Sequence, residues 1–318
     1  MTALLEIDAL TARLGARGPR ILDDVSFDLR EREILGVVGE SGSGKSTLAL
    51  ALMGLLAPAI RVVGGTARLR GVDLLSLAPG ALRARRGRDL AMIFQEPMTS
   101  LNPVMRIGDQ IAEALARHPG QARADARNQT TRLLQQVEFP DPEIRVDCFP
   151  HELSGGQRQR VMVAMALAGE PGVLIADEPT TALDVTIQAQ ILALLQKLRD
   201  THGMAILLIT HDLGVVAELC DRVAIMYMGR VVEIAAAEAI FDAPTHPYTR
   251  GLLASRPRIA GRTARLATIA GTAPAPGDVP EGCAFAPRCA QRMPVCAAAP
   301  ALRAVAPGHL AACHLVPA

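Results

Sequence analysis

Three short, mostly apolar runs punctuate the chain: Ile34–Val38, Val173–Ala176 and Ala205–Thr210. Runs of this length bounded by turn-forming or polar residues read as strands buried on both faces. The first is followed by a glycine-rich stretch, residues 39–44, and then by helix formers from Leu48 to Leu56, stopping before Pro58. Between the second and third, apolar residues at 187, 191, 194, 195 and 198 lie on one face of a helix. Strands alternating with helices predict an α/β fold with a mainly parallel sheet, in which polar residues at the strand C-terminal ends line the ligand crevice. Residues 102–165 carry no comparable run but contain helical stretches at Ile107–Arg117 and Gln129–Val137. They predict a helical subdomain over about 97–165, inserted in a domain that spans 1–235. From 236 to 318 the composition changes again: residues 271–318 hold eight of the 22 prolines and few large aliphatics, too little to build a core alone.

Composition narrows the picture. The 318 residues allow two domains, or one with an elaboration. Half are apolar and a fifth charged, which excludes a disordered chain. Lys+Arg 33 against Asp+Glu 32 leaves a net charge of +1, so no global field draws the chain onto nucleic acid, and no nucleic-acid partner is expected. Aromatics are 3% and Trp is absent, against a base-stacking platform. No apolar run approaches the roughly 18 residues of a membrane span, and Glu6 and Asp8 stand where a signal peptide carries basic charge. A soluble cytoplasmic protein is the expectation. Arg83–Arg88 is the one basic run; a solvated loop is its ordinary reading, a nucleic-acid patch the alternative. Cys148 and Cys220 stand alone and read as buried fillers, whereas Cys283, Cys289, Cys296 and Cys313 fall within 31 residues. In a reducing compartment such a cluster points to a metal rather than to disulfides.

The strongest chemical signal is Gly39-x-x-x-x-Gly44-Lys45-Ser46 between a strand and a helix, a Walker A pattern. Its glycines, with Ser41, Gly42 and Ser43 between them and Thr47 after, let backbone N–H groups turn toward phosphates at a helix N-terminus. Lys45 supplies a point charge to the β- and γ-phosphates and Ser46 a hydroxyl to Mg²⁺. Asp177-Glu178 ends a buried strand: Asp177 suits Mg²⁺, and Glu178 suits a general base that polarises water, although an Asp-Glu at a strand end also serves as a solvated turn or helix cap. Ser154-Gly155-Gly156-Gln157 opens a helix running to Leu167, either as a capping turn or as a second anion site. One nucleotide needs one cradle, so a spare cradle suggests two chains sharing ATP head to tail.

With these residues in this order, the chain resembles the nucleotide-binding subunits of ABC transporters, a P-loop NTPase (RecA-like) cassette. Gln95 matches the Q-loop, Ala182-Leu183-Asp184 the D-loop and His211 the H-loop. Pro97–Pro103, Pro150–Leu153, Leu183–Gln188 and His246-Pro247-Tyr248-Thr249 are similar to the dipeptide/oligopeptide importer branch. The resemblance implies that Gln95 contacts Mg²⁺ or the lytic water, that His211 holds the γ-phosphate and orients Glu178, and that Ser154 and Gly156 close on the nucleotide of a partner chain. It further implies ATP and Mg²⁺, a second ABC ATPase subunit, two integral membrane permease subunits, an extracytoplasmic solute-binding protein, and a peripheral place on the cytoplasmic face of the membrane. The implied cargo is di- or oligopeptide, with nickel, glutathione or another small solute as alternatives. A soluble ABC ATPase outside transport is the competing class.

Two features stand apart. Leu14 occupies the place of the family's adenine-stacking aromatic, which predicts a weaker preference for ATP over GTP than in aromatic-bearing relatives; a competition titration showing ATP-exclusive binding would contradict it. The tail pattern Cys283-x5-Cys289-x6-Cys296-x16-Cys313 suits an iron–sulfur cluster or zinc, or free or paired cysteines, although zinc knuckles use tighter spacing. The resemblance to the C-terminal segment of peptide-importer ATPases implies a 4Fe-4S cluster on these four residues.

Overall fold

The computed structural model describes residues 3–95, 100–117, 125–181, 183–255, 268–275 and 278–316. The expected features at residues 97–99 and at Ala182 lie outside the described residues. In chain order the elements are β1 (Ala3–Leu14), β2 (Arg20–Arg30), β3 (Ile34–Val38), α1 (Lys45–Met53), β4 (Ile60–Leu69), β5 (Val72–Asp73), α2 (Pro79–Arg85) and β6 (Leu90–Ile93). Then come α3 (Ile107–Ala116), α4 (Ala126–Gln136), α5 (Pro142–Arg145), α6 (Gly155–Leu167), β7 (Val173–Asp177), α7 (Val185–His202), β8 (Ala205–Thr210) and α8 (Leu213–Leu219). The chain closes with β9 (Arg222–Tyr227), β10 (Arg230–Ala236), α9 (Ala237–Asp242), α10 (Pro247–Ala254), β11 (Arg303–Ala306) and β12 (His309–Ala311). The fold is α/β with mostly parallel pairing among its buried strands, as the alternating pattern predicted.

The chain divides into two compact units. One holds residues 30–33 and 77–209. In it β6, β7 and β8 pair in parallel, Leu90 opposite Val173 and Val173 opposite Ala205. All five residues of β7 and all six of β8 are buried, which is why both read as unbroken apolar runs. No strand forms among the described residues of 100–165; α3, α4 and α6 pack on one another there. The amphipathic face of α7 is realised at Ile191, Leu194, Leu195 and Leu198, all buried. Within the basic run, Arg85 and Arg88 both pair with the carboxylate of Asp89.

The other unit holds residues 2–29, 34–76 and 210–318. Here β3 pairs in parallel with β9, and β9, β10, β12 and β11 continue in antiparallel pairs. A second sheet of order β2-β1-β4-β5 escaped the apolar-run reading. Its strand β1 slips register between Asp8 and Thr11, with Ala9 at φ 50°, so the alternation of inward and outward positions breaks midway. Gly65 is required opposite that bulge, because a Cβ there would sit 2.5 Å from the Ala9 carbonyl. Helix α1 ends three residues before the expected Leu56: Gly54, at φ 60°, turns left-handed and returns its N–H to Ala51. Cys220 is buried as expected, and burial raises its thiol pKa; Cys148 is only half-buried, in the stretch that follows α5, where its carbonyl accepts from Ile107 N.

His246 caps α10, its Nδ1 accepting from Tyr248 N at 3.0 Å, and it is 1% exposed. Burial pushes its pKa down from 6.5 to about 4. Between those values the unfolded chain binds a proton that the native chain refuses. Stability from this group is therefore complete above pH 6.5 and falls as pH drops toward 4, by roughly 3 kcal/mol in all. The urea midpoint should fall between pH 7 and 4.5, and His246→Asn, which keeps a capping acceptor without a titrating ring, should flatten that fall. Equal slopes in both proteins would show that the dependence arises elsewhere.

Candidate nucleotide site

The glycine-rich loop is shaped by close approaches. A Cβ on Gly39 would lie 2.1 Å from Met226 O, and Gly42 and Gly44 adopt φ 80° and 99°. Only glycine takes these positions without strain or collision. Gly44 then caps α1 with no side-chain acceptor, so no capping side chain competes for the leading N–H groups of the helix. Lys45, 6% exposed, is folded along the loop: Nζ donates to Gly39 O at 2.8 Å, to Glu40 O at 3.0 Å and to Ser43 Oγ at 3.4 Å. Ser46 and Thr47 follow in the first turn of α1, and Ser41 and Gly42 are exposed at the loop rim. A charged ammonium, a helix N-terminus and a bare loop backbone together form a cradle for an anion. Leu14 lies in the same unit at the end of β1 and is 44% exposed.

In the other unit β7 delivers Asp177, 4% exposed, and then Glu178. Glu178 sits at φ 47°, a left-handed conformation uncommon for a residue with a side chain, and its N–H is held by Ile209 O at 2.8 Å. Its Oε2 accepts from Gln95 Nε2 at 3.2 Å and from Thr181 Oγ1 at 2.8 Å. Two of the expected site residues, Gln95 and Glu178, are thus in direct contact. Thr181, which the sequence reading passed over, is the second hydroxyl-bearing residue of Asp-Glu-Pro-Thr-Thr, three positions beyond Glu178; that spacing was the available signal. A carboxylate held by two neutral donors at a strand end has a fixed direction, as a general base requires.

Ser154 caps α6 through a reciprocal pair: Ser154 Oγ accepts from Gln157 N at 3.3 Å and Gln157 Oε1 from Ser154 N at 3.0 Å. Ser154 and Gly155 are exposed. Gly156 is buried under Ile187, whose Cγ2 would lie 2.5 Å from an added Cβ. Asp184 caps α7, accepting from Ile187 N at 3.0 Å. His211 follows β8 and is exposed.

The tail gathers its cysteines. Cys283, Cys289, Cys296 and Cys313 line one cavity of about 10 Å³, with Phe285 and Met293 among its walls. Burial raises the pKa of the Cys283 and Cys313 thiols. All four thiols are free, and among the described residues no group of three or more His, Cys, Asp or Glu side chains is placed to hold a metal ion. As arranged here, the cavity accommodates a single water rather than a cluster.

The chain is similar to known proteins over most of its length. The family described as ABC transporter matches residues 22–181, and that described as oligopeptide/dipeptide transporter, C-terminal region, matches residues 232–296. The chain is 51% identical over 292 residues to the oligopeptide transport ATP-binding protein OppD of Salmonella typhimurium, covering 92% of this chain and 87% of that one. It is 47% identical over 315 residues to the dipeptide transport ATP-binding protein DppD of Escherichia coli, covering 98% and 96% respectively. Among solved structures, the dimeric post-hydrolysis state of the ATP-binding cassette MJ0796 bound to ADP and Pi superposes with a TM-score of 0.65 at 26% identity, over 73% of this chain and 98% of that one.

Proposed function

The chain belongs to the ABC transporter ATP-binding family, and from that premise we propose that it is the ATP-hydrolysing subunit of a binding-protein-dependent importer of di- or oligopeptides. The observation that carries the hydrolytic reading is Glu178, held by Gln95 and Thr181 at the end of β7. Lys45 and the leading N–H groups of α1 bind the β- and γ-phosphates of ATP. Ser46 and Asp177 are the residues that would hold Mg²⁺, a hydroxyl and a buried carboxylate being hard oxygen donors of the kind it takes. Mg²⁺ supplies charge neutralisation on the phosphates. Glu178 takes the proton of the attacking water, and Gln95 and His211 position water and γ-phosphate. Ser154, Gly155, Gly156 and Gln157 serve the nucleotide bound to a second ATPase subunit; the capping box of Ser154 presents that turn at the surface. Asp184 caps the helix beside the same turn.

The partners in this reading are that second subunit, two membrane permeases and a solute-binding protein, with the chain peripheral on the cytoplasmic side. Among the described residues no helix is long and apolar enough to cross a membrane. The cassette occupies 1–235 and the importer-type extension 236–318. Cys283, Cys289, Cys296 and Cys313 are the residues that would ligate a 4Fe-4S cluster; their convergence on one cavity supports this. Iron and sulfide assayed on anaerobically purified protein test it, and colourless iron-free protein excludes it.

The decisive experiment is purification with the permeases followed by reconstitution into vesicles. ATP-dependent accumulation of a di- or oligopeptide supports the proposal. Accumulation of nickel or glutathione in place of peptide changes the cargo, and failure to co-purify with any membrane subunit favours a non-transport ATPase.

A further inference from the structure

Glu40, the residue after the first glycine of the phosphate loop, is gripped from far along the chain. Arg288 Nη1 donates to its Oε2 at 2.6 Å and Nη2 to its Oε1 at 3.1 Å, a two-point ion pair across 248 positions. Arg288 is 6% exposed at its side chain and Glu40 29%. The Glu40 N–H donates to Tyr248 Oη at 2.9 Å, and the Glu40 carbonyl accepts from Lys45 Nζ at 3.0 Å. One loop residue is thus held at carboxylate, amide and carbonyl, two of the three from the C-terminal extension.

Buried aromatic rings pack behind this grip. Tyr248 is fully buried and packs with Tyr227 and Phe285, ring centroids 4.6 Å and 5.4 Å away. The Arg288 guanidinium lies against the Tyr227 and Phe285 rings, and its Nε donates to Ala270 O at 3.0 Å. Arg288 ends the 3₁₀ turn Ala286–Arg288 and directly precedes Cys289, so it belongs to the cysteine segment itself.

A carboxylate at the second position of a loop built for polyphosphate repels its ligand unless neutralised. We propose that Arg288 is a positioning residue for ATP: it neutralises and orients Glu40, so that the cysteine-bearing tail sets the affinity of the phosphate loop for nucleotide. The inference rests on the loop at 39–46 being the ATP site.

The test is a titration of the full chain with a fluorescent ATP analogue, alongside steady-state ATPase kinetics. R288Q should weaken nucleotide binding about tenfold and raise KM to match, with kcat at saturating ATP changed by less than about twofold. R288K should restore most of the affinity. E40Q, which removes the repelling carboxylate but keeps the guanidinium, should tighten binding, and E40Q/R288Q should bind more tightly than R288Q alone. Opposite signs for the two single variants are not produced by loosening the structure, and E40Q decides the matter even where R288Q folds poorly. Wild-type affinity in R288Q, or a double variant no better than R288Q, overturns the proposal. Lys45→Ala separates the two readings: if it too binds nucleotide normally, the loop is not the ATP site, whereas loss in Lys45→Ala with none in R288Q sinks only the role of the tail.

Discussion

ATP turnover by the Glu178→Gln variant is expected to fall by about 10²–10⁴-fold, the range a positioned general base contributes, while ATP binding persists. The amide is nearly isosteric with the carboxylate and can still accept from Gln95 Nε2 and Thr181 Oγ1 through its oxygen, so the local structure should survive. What disappears is the negative charge that takes up a proton from water. Because Glu178 holds a left-handed backbone conformation at φ 47°, with its amide anchored on Ile209, the side chain has little freedom to be replaced by a neighbour. Steady-state phosphate release with a parallel binding titration distinguishes the outcomes. Undiminished turnover in this variant would remove Glu178 from the chemistry and with it the hydrolytic mechanism.

For Lys45→Ala the loss should appear in binding itself. Removing one member of a close, poorly solvated charge pair costs about 2–5 kcal/mol, which is roughly 30- to 5,000-fold in ATP affinity. Lys45 is 6% exposed, and its ammonium bridges Gly39 O, Glu40 O and Ser43 Oγ within the loop, so the substitution removes both the charge facing the phosphates and three contacts that shape the cradle. The two effects act in the same direction on affinity. Thermal melting separates them: a variant that melts like the parent yet fails to bind has lost the charge, and one that binds ATP like the parent would show that the phosphates lie elsewhere.

Much of this site was legible because its parts are contiguous. A buried strand, a glycine turn and a helix N-terminus follow one another within residues 34–53, so the phosphate cradle is encoded by neighbours in sequence. The strands Ile34–Val38 and Ala205–Thr210 match the apolar runs residue for residue, since burial on both faces leaves no polar interruption. The antiparallel sheet around β1 was illegible for the opposite reason: the bulge at Ala9 resets which positions point inward. The cysteine pattern announced a cluster of thiols correctly, and the structure brings all four around one cavity, but it does not set them in metal-holding geometry.

The sequence alone determined the α/β class, the place of the phosphate loop, the strand that ends in Asp177-Glu178 and the capped turn at Ser154, because each depends on period, spacing and residue type over a dozen positions or fewer. Only the tertiary structure decided which side chains meet. Gln95 reaches Glu178 across 83 positions, Tyr248 reaches Glu40 across 208, and Arg288 reaches it across 248. No local pattern encodes such pairings: they depend on the direction in which each strand and turn delivers its side chain, and that direction exists only once each unit has folded.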